Sequence, residues 1–211
     1  GVCRVPRIHG RCEPSEGRRE MIALGIDPAM TTTGLALVGY DEGRFTLDWS
    51  CDVHTPDNLS DAERLSILAS AIRDALRLHT GIEVVGMETP FVGKWKDTAL
   101  ALGAVQGVTR LVVFEHDANL PAHRFAPASI KKGLSGSGAA SKLTMIEMVR
   151  VVTGRYPTSE HIADATGAAV CAILRLDAEK GGTANVLAGR RGRKGARVGM
   201  PDIGYRAPDA R

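Results

Sequence analysis

Four side chains in this 211-residue sequence have the chemistry to hold divalent cations: Asp27, Glu88, His161 and Asp164. Asp27 closes the apolar run at residues 22–27 (IALGID), and Glu88 closes a second run at residues 82–88. His161 and Asp164 stand at i and i+3, so on a helix they project from one face of the first turn. Carboxylates gathered within a few ångströms cannot all stay ionised cheaply unless a cation lies among them. Oxygen ligands favour Mg2+, and an imidazole in the set also tolerates Mn2+. Two such ions about 4 Å apart are the standard device for in-line phosphoryl displacement.

Each residue also has a plainer reading. Asp27 precedes Pro28 and suits a turn, Glu88 suits a surface charge at a strand end, and His161 with Asp164 suit the start of a helix. Spacing alone does not choose between the two.

The elements that must bring the four together follow from periodicity. Residues 22–27, 34–40 and 45–53 read as three strands, the last two separated by the turn signal Asp41-Glu42-Gly43. With short connections these should be antiparallel. Ser60-Asp61-Ala62-Glu63 is a capping box, followed by Leu65, Leu68, Ile72, Ala75 and Leu76 at helical period up to Gly81. A helix between strands makes the fourth strand, residues 82–88, a parallel neighbour of the first, which puts Asp27 and Glu88 at one sheet edge. Asp97 can cap a second helix with Leu100, Ala104, Gly107, Val108 and Leu111 facing inward. Residues 121–130 hold a fifth extended segment, and two more helices are expected at about 139–152 and 159–176. The stretch Gly133 to Gly138 (GLSGSG) lacks the Gly-Lys-Ser/Thr of a phosphate cradle and reads as a loop. The order β-β-β-α-β-α-β-α-α is an α/β sandwich with a five-stranded mixed sheet.

Composition sets the frame. With 44% hydrophobic and 24% charged residues, and no apolar run near the roughly 18 residues of a membrane span, a membrane protein, a coiled coil and a collagen-like fibre are excluded. Net charge is only +3, but it is segregated. Residues 21–90 carry four basic against eleven acidic groups, residues 91–155 nine against four, and residues 181–211 seven against two. That is the pattern expected of carboxylates for a metal beside cations for a polyanion. The expected organisation is a disordered extension at 1–20, one domain at 21–180 and a disordered basic tail at 181–211. Cys3, Cys12, Cys51 and Cys171 are too scattered for a disulfide framework, so a reducing, cytoplasmic setting is expected. Cys3, His9 and Cys12 lack both a CxxC spacing and a fourth ligand for zinc. Residues 1–20 have no apolar stretch and three Glu, so neither a secretory signal nor a transit peptide is expected.

Taken together, Gly25-Ile26-Asp27-Pro28 with Thr33-Gly34, Glu88-Thr89-Pro90-Phe91, the Lys-bearing stretch 130–142, and Ala163-Asp164-Ala165 after His161 resemble the RuvC family of Holliday-junction resolvases. The resemblance covers about residues 21–177 and implies an RNase H-like fold. It places Asp27, Glu88, His161 and Asp164 on the four metal-binding catalytic positions, Lys142 on a lysine near the scissile phosphate, and Phe91 on an aromatic that stacks on junction bases. Ala29 and Met30 stand where the family has Gly, and both tails exceed a minimal member, which fits a divergent, phage-type version.

The resemblance implies a divalent-metal-dependent endonuclease, with two Mg2+ or Mn2+ ions per site, that nicks four-way or other branched DNA. It also accounts for the charge map. Lys94, Lys96, Arg124, Lys131, Lys132 and Lys142 would neutralise phosphates, Trp95 would offer a stacking surface, and Arg190, Arg191, Arg193 and Lys194 would add contacts from the tail. A two-fold junction suits a homodimer, and Ala99, Ala101, Gly103, Ala104 and Gly107 on the second helix would allow close helix approach. A helicase partner leaves no trace in these residues. Three other readings stand beside this one: an RNase H-like nuclease for flaps or hybrids, a silent junction-binding protein, and an actin-like or sugar-kinase-like ATPase. The last needs two such domains, which 211 residues do not supply.

Overall fold

Alternating apolar residues on the central strands point to both faces of the sheet, so both faces must be covered. In the computed structural model, which describes residues 21–89 and 96–182 (side chains 96–98 excepted), helices cover both. The elements run β1 (Met21–Asp27), β2 (Thr32–Asp41), β3 (Arg44–His54), α1 (Asp61–Leu78), β4 (Ile82–Glu88), α2 (Lys96–His116), β5 (Ala122–Phe125), α3 (Pro127–Ser135), α4 (Lys142–Thr153) and α5 (Glu160–Glu179). The sheet order is β3-β2-β1-β4-β5, with β1, β2 and β3 antiparallel and β4 parallel to both β1 and β5. This is the five-stranded mixed sheet of an RNase H-like fold. Among the described residues no helix is long and apolar enough to cross a membrane.

Local chemistry accounts for the element ends. Glu42 and Gly43 both take positive φ, 47° and 86°, the two-residue hairpin that matches strand twist. Ser60 and Glu63 form both halves of the capping box at α1. Gly136 and Gly154 end α3 and α4 in the left-handed conformation, where glycine carries no Cβ penalty.

Two apolar layers follow. Leu24, Ile26, Val85 and Met87 pack under α1 and α2 with Ile72, Leu76, Val105 and Val112. Ala23, Val84 and Phe125 pack on the opposite face under α3, α4 and α5. There α5 is seated almost on the strands themselves: a Cβ at Gly25 would overlap the Ala165 carbonyl, one at Gly86 the Ala168 carbonyl, and one at Gly34 the His161 carbonyl. Only glycine permits that approach.

Three sequence expectations are corrected. The stretch from Pro127 to Ser135 is a helix, α3, so part of the segment read as extended and the first half of the glycine-rich loop are helical. Gly133 sits inside it because a side chain there would strike Cys171 Sγ on α5. Second, α2 is turned: Val105, Thr109, Val112 and Val113 are buried and Val108 packs partly buried beside them as expected, whereas Ala104 and Gly107 are exposed, Leu100 is 74% exposed and Leu111 54%. The helix is apolar on more than one side, so the pattern left its rotation open. Third, α2 begins at Lys96, which places Asp97 inside the helix rather than at its cap.

Candidate active site

β1 and β4 run in parallel as neighbours, so their carboxyl ends meet at one edge. Asp27 shares the α5 face with Ala23 and Gly25, and Glu88 shares it with Val84 and Gly86. The N-terminus of α5 arrives at the same edge. Its cap, Ser159, accepts from the Ile162 N–H at 3.0 Å and donates to Asp52 Oδ1 of β3 at 2.8 Å, so one hydroxyl both starts the helix and ties it to the sheet. His161 and Asp164 project from the first turn, as their spacing requires.

His161 Nδ1 donates to Asp27 Oδ2 at 2.8 Å, joining α5 to β1. That hydrogen bond, together with the charges of Asp27, Asp52 and Glu160, raises the His161 pKa against the opposing effect of burial. Burial pushes Glu88 up to about 8, helped by the charges of Asp27 and Asp164. Asp164 is pushed up to about 6, again by burial first and then by Asp27. Lys131 opposes both shifts. Half-buried carboxylates raised by burial and by neighbouring negative charge are short of positive charge, and the oxygens of the set with one imidazole form a donor set suited to Mg2+ or Mn2+. Among the described residues no three His, Cys, Asp or Glu side chains close around a single point, so the arrangement is open.

A cleft of about 120 Å3 adjoins Glu88 and Asp164, lined also by Pro127, Lys131, Lys142, Met145, Glu160 and Ala163. Lys142 Nζ pairs with Glu160 Oε2 at 2.5 Å, an exposed contact that holds the ammonium at the mouth. The structure thus brings Asp27, Glu88, His161, Asp164, Lys131 and Lys142 to one edge. Lys132 lies on α3 beside Lys131, and Arg124 is an exposed residue of the edge strand β5. Phe91, Lys94, Trp95, the Lys96 side chain, Cys3, His9, Cys12 and the basic groups Arg190, Arg191, Arg193, Lys194 and Arg197 lie outside the described residues. Sequence reading missed Asp52 and Glu160. No local pattern marks Asp52, while Glu160, directly after a cap, carried a signal that went unused.

Residues 23–172 match the family model described as Crossover junction endodeoxyribonuclease RuvC. The chain belongs to the RuvC family. A RuvC of Chloroflexus aurantiacus is 34% identical over 154 residues, covering 72% of this chain and 92% of that one. The RuvC of Clostridioides difficile is 31% identical over 154 residues, covering 72% and 89%. Among solved structures, T. thermophilus RuvC in complex with Holliday junction substrate superposes with a TM-score of 0.67 at 27% identity, covering 74% of this chain and 96% of that one. RuvC family members are metal-dependent crossover junction endodeoxyribonucleases.

Proposed function

We propose that this protein resolves four-way DNA junctions by paired nicks, using two Mg2+ or Mn2+ ions at the Asp27, Glu88, His161 and Asp164 edge. The observation that supports the reading is that β1 and β4 end side by side, carrying Asp27 and Glu88 to the edge where the first turn of α5 presents His161 and Asp164, with Lys131 and Lys142 lining the adjoining cleft. The four would hold the ions, which when bound supply Lewis-acid activation of water and stabilisation of the leaving 3′-oxygen.

The chain's own residues set the conditions for that step. Asp27 holds the His161 ring through Nδ1 and so fixes which ring nitrogen is left to face a ligand. Lys142, released from Glu160, would offset charge on the phosphoryl oxygens, with Lys131 beside it. Lys132, Arg124 and the basic groups of residues 91–96 and 181–211 supply phosphate contacts that position DNA without reading sequence, and Phe91 supplies stacking. A second copy docks on the exposed face of α2. Leu100, Gly103, Ala104, Gly107, Leu111 and Phe114 form one stripe there; Phe114 is 63% exposed, and a Cβ at either glycine would meet nothing within 4 Å. Leu100, Ala104, Gly107 and Leu111, expected to face inward, therefore lie on the face that leaves room for close helix approach, while Val108 packs inward. The setting is a reducing one, consistent with the buried free Cys171.

The test is cleavage of a synthetic four-way junction beside linear duplex, flap and RNA–DNA hybrid, with and without Mg2+ or Mn2+. Paired, metal-dependent nicks confined to the junction are expected. Equal cleavage of flap or hybrid would replace this reading with that of a more general RNase H-like nuclease, and binding without cleavage would point to a silent junction-binding protein.

A further inference from the structure

The carbonyl of Glu88 lies where the β1–β4 ladder runs out. The last pair of that ladder is Ile26 with Met87. The chain then passes from Asp27 to Pro28, which has no N–H to extend it. On the β5 side the strand end is closed, since the Thr89 N–H and hydroxyl both donate to the Phe125 carbonyl, at 2.7 and 3.0 Å. On the other side a side chain does the work: Gln106 Nε2 of α2 donates to the Glu88 carbonyl at 2.8 Å.

The other half of that amide shows what it is for. Among the described residues, buried Gln106 Oε1 has no hydrogen-bond partner, a state that costs free energy and that an apolar side chain would avoid. Turning the amide over would set that oxygen against the Glu88 carbonyl, so only the observed orientation makes the bond. An amide kept in place with one end unsatisfied is held for its donor. From these observations, and resting on the proposed role of Glu88 in holding a cation, we infer that Gln106 is a positioning residue for Glu88: it anchors the end of β4 so that the carboxylate stays at the edge shared with Asp27 and Asp164. Groups that orient metal ligands in this way typically contribute 10–100-fold to metal affinity or activity.

Gln106→Met keeps the length and removes the donor; Gln106→Glu keeps the shape and sets an acceptor against the carbonyl. Mn2+ alone, titrated into the full-length protein and followed by paramagnetic relaxation of solvent protons, should bind roughly 10-fold more weakly to both variants. Metal-free junction affinity and the oligomeric mass should be unchanged, which a general loss of structure would not allow. Wild-type Mn2+ affinity in both variants would overturn the inference, as would a loss of metal-free junction binding in step with Mn2+ affinity. A wild-type protein that neither binds Mn2+ nor cleaves would instead overturn the reading on which the inference rests.

Discussion

Asp27 Oδ2 and His161 Nδ1 are separated by 2.8 Å in space and by 134 positions in sequence. The contact joins the last residue of the central strand to the first turn of the last helix. Burial and the charge of Asp27 already strain the ionisation of Glu88 and Asp164 nearby, so a neutral substitute for one carboxylate should remove cation binding more readily than it removes fold.

Asp27→Asn and Glu88→Gln are therefore expected to lower junction cleavage by at least about 100-fold, beyond what loss of an outer-sphere partner costs. Junction affinity measured without metal should hold or tighten, since negative charge beside the phosphates is lost while Lys131 and Lys142 remain. Gel-shift and cleavage assays on the same preparations check both halves. Near-normal cleavage by either variant would remove that residue from the set.

The raised carboxyl pKa values fix the sign of a pH effect. A group whose pKa is higher folded than unfolded contributes stability that is complete below the unfolded value and is lost as pH rises through the folded one. For Asp164, at about 6, and Glu88, at about 8, that loss spans the range from about pH 4, the ordinary carboxylate value, upward. His161, also raised, acts in the same direction. Cation binding runs the opposite way because ligands must shed protons first. Thermal melts should show Mg2+ raising Tm more at pH 8 than at pH 5, and an equal gain at both would count against carboxylate ligation.

Gly25→Ala should destabilise by about 3 kcal/mol or more, because the new methyl group would overlap the Ala165 carbonyl on α5 and one of the two backbones must shift. Gly103→Ala on the exposed face of α2, where a Cβ meets nothing of its own chain within 4 Å, should instead gain up to about 1 kcal/mol of helix propensity when measured on the monomer, free of a docked second copy. Denaturant titration of the two variants tests the contrast.

Ala104→Arg places a long cation in the middle of the exposed apolar stripe of α2, between Leu100 and Leu111. Sedimentation equilibrium is expected to find a dimer for the unaltered protein and a monomer for the variant. Circular dichroism should be unchanged, since residue 104 lies outside both apolar layers. An undiminished dimer mass would rule out this face.

What could be read in advance depended on how local the cause was. Ile82–Glu88 is a strand by composition alone, and Ser60 with Glu63 announces α1 through a reciprocal pair three residues apart. Asp27, Glu88, His161 and Asp164 each lie at or near the end of an element, but it is the family resemblance, not their spacing, that singles them out as a set. Pro127–Ser135 was not legible, since its helix is short and carries a glycine whose reason, contact with Cys171 Sγ, lies on another helix. The rotation of α2 depends on what packs beneath it. The pairing of Ser159 with Asp52, 107 positions apart, and the bond from Gln106 to the Glu88 carbonyl leave no local mark at all.

The near contact of α5 with the strand backbones at Gly25, Gly34 and Gly86 also limits how this protein can change over generations. At these three points the strand residue has no side chain, so no substitution there can be made gradually, because the smallest available step is already a collision. Variation is thereby directed away from the plane that sets the spacing of Asp27, Glu88, His161 and Asp164 and toward the outward surfaces of α2, α3 and α4. A lineage can vary those surfaces while the spacing of the four side chains stays inherited.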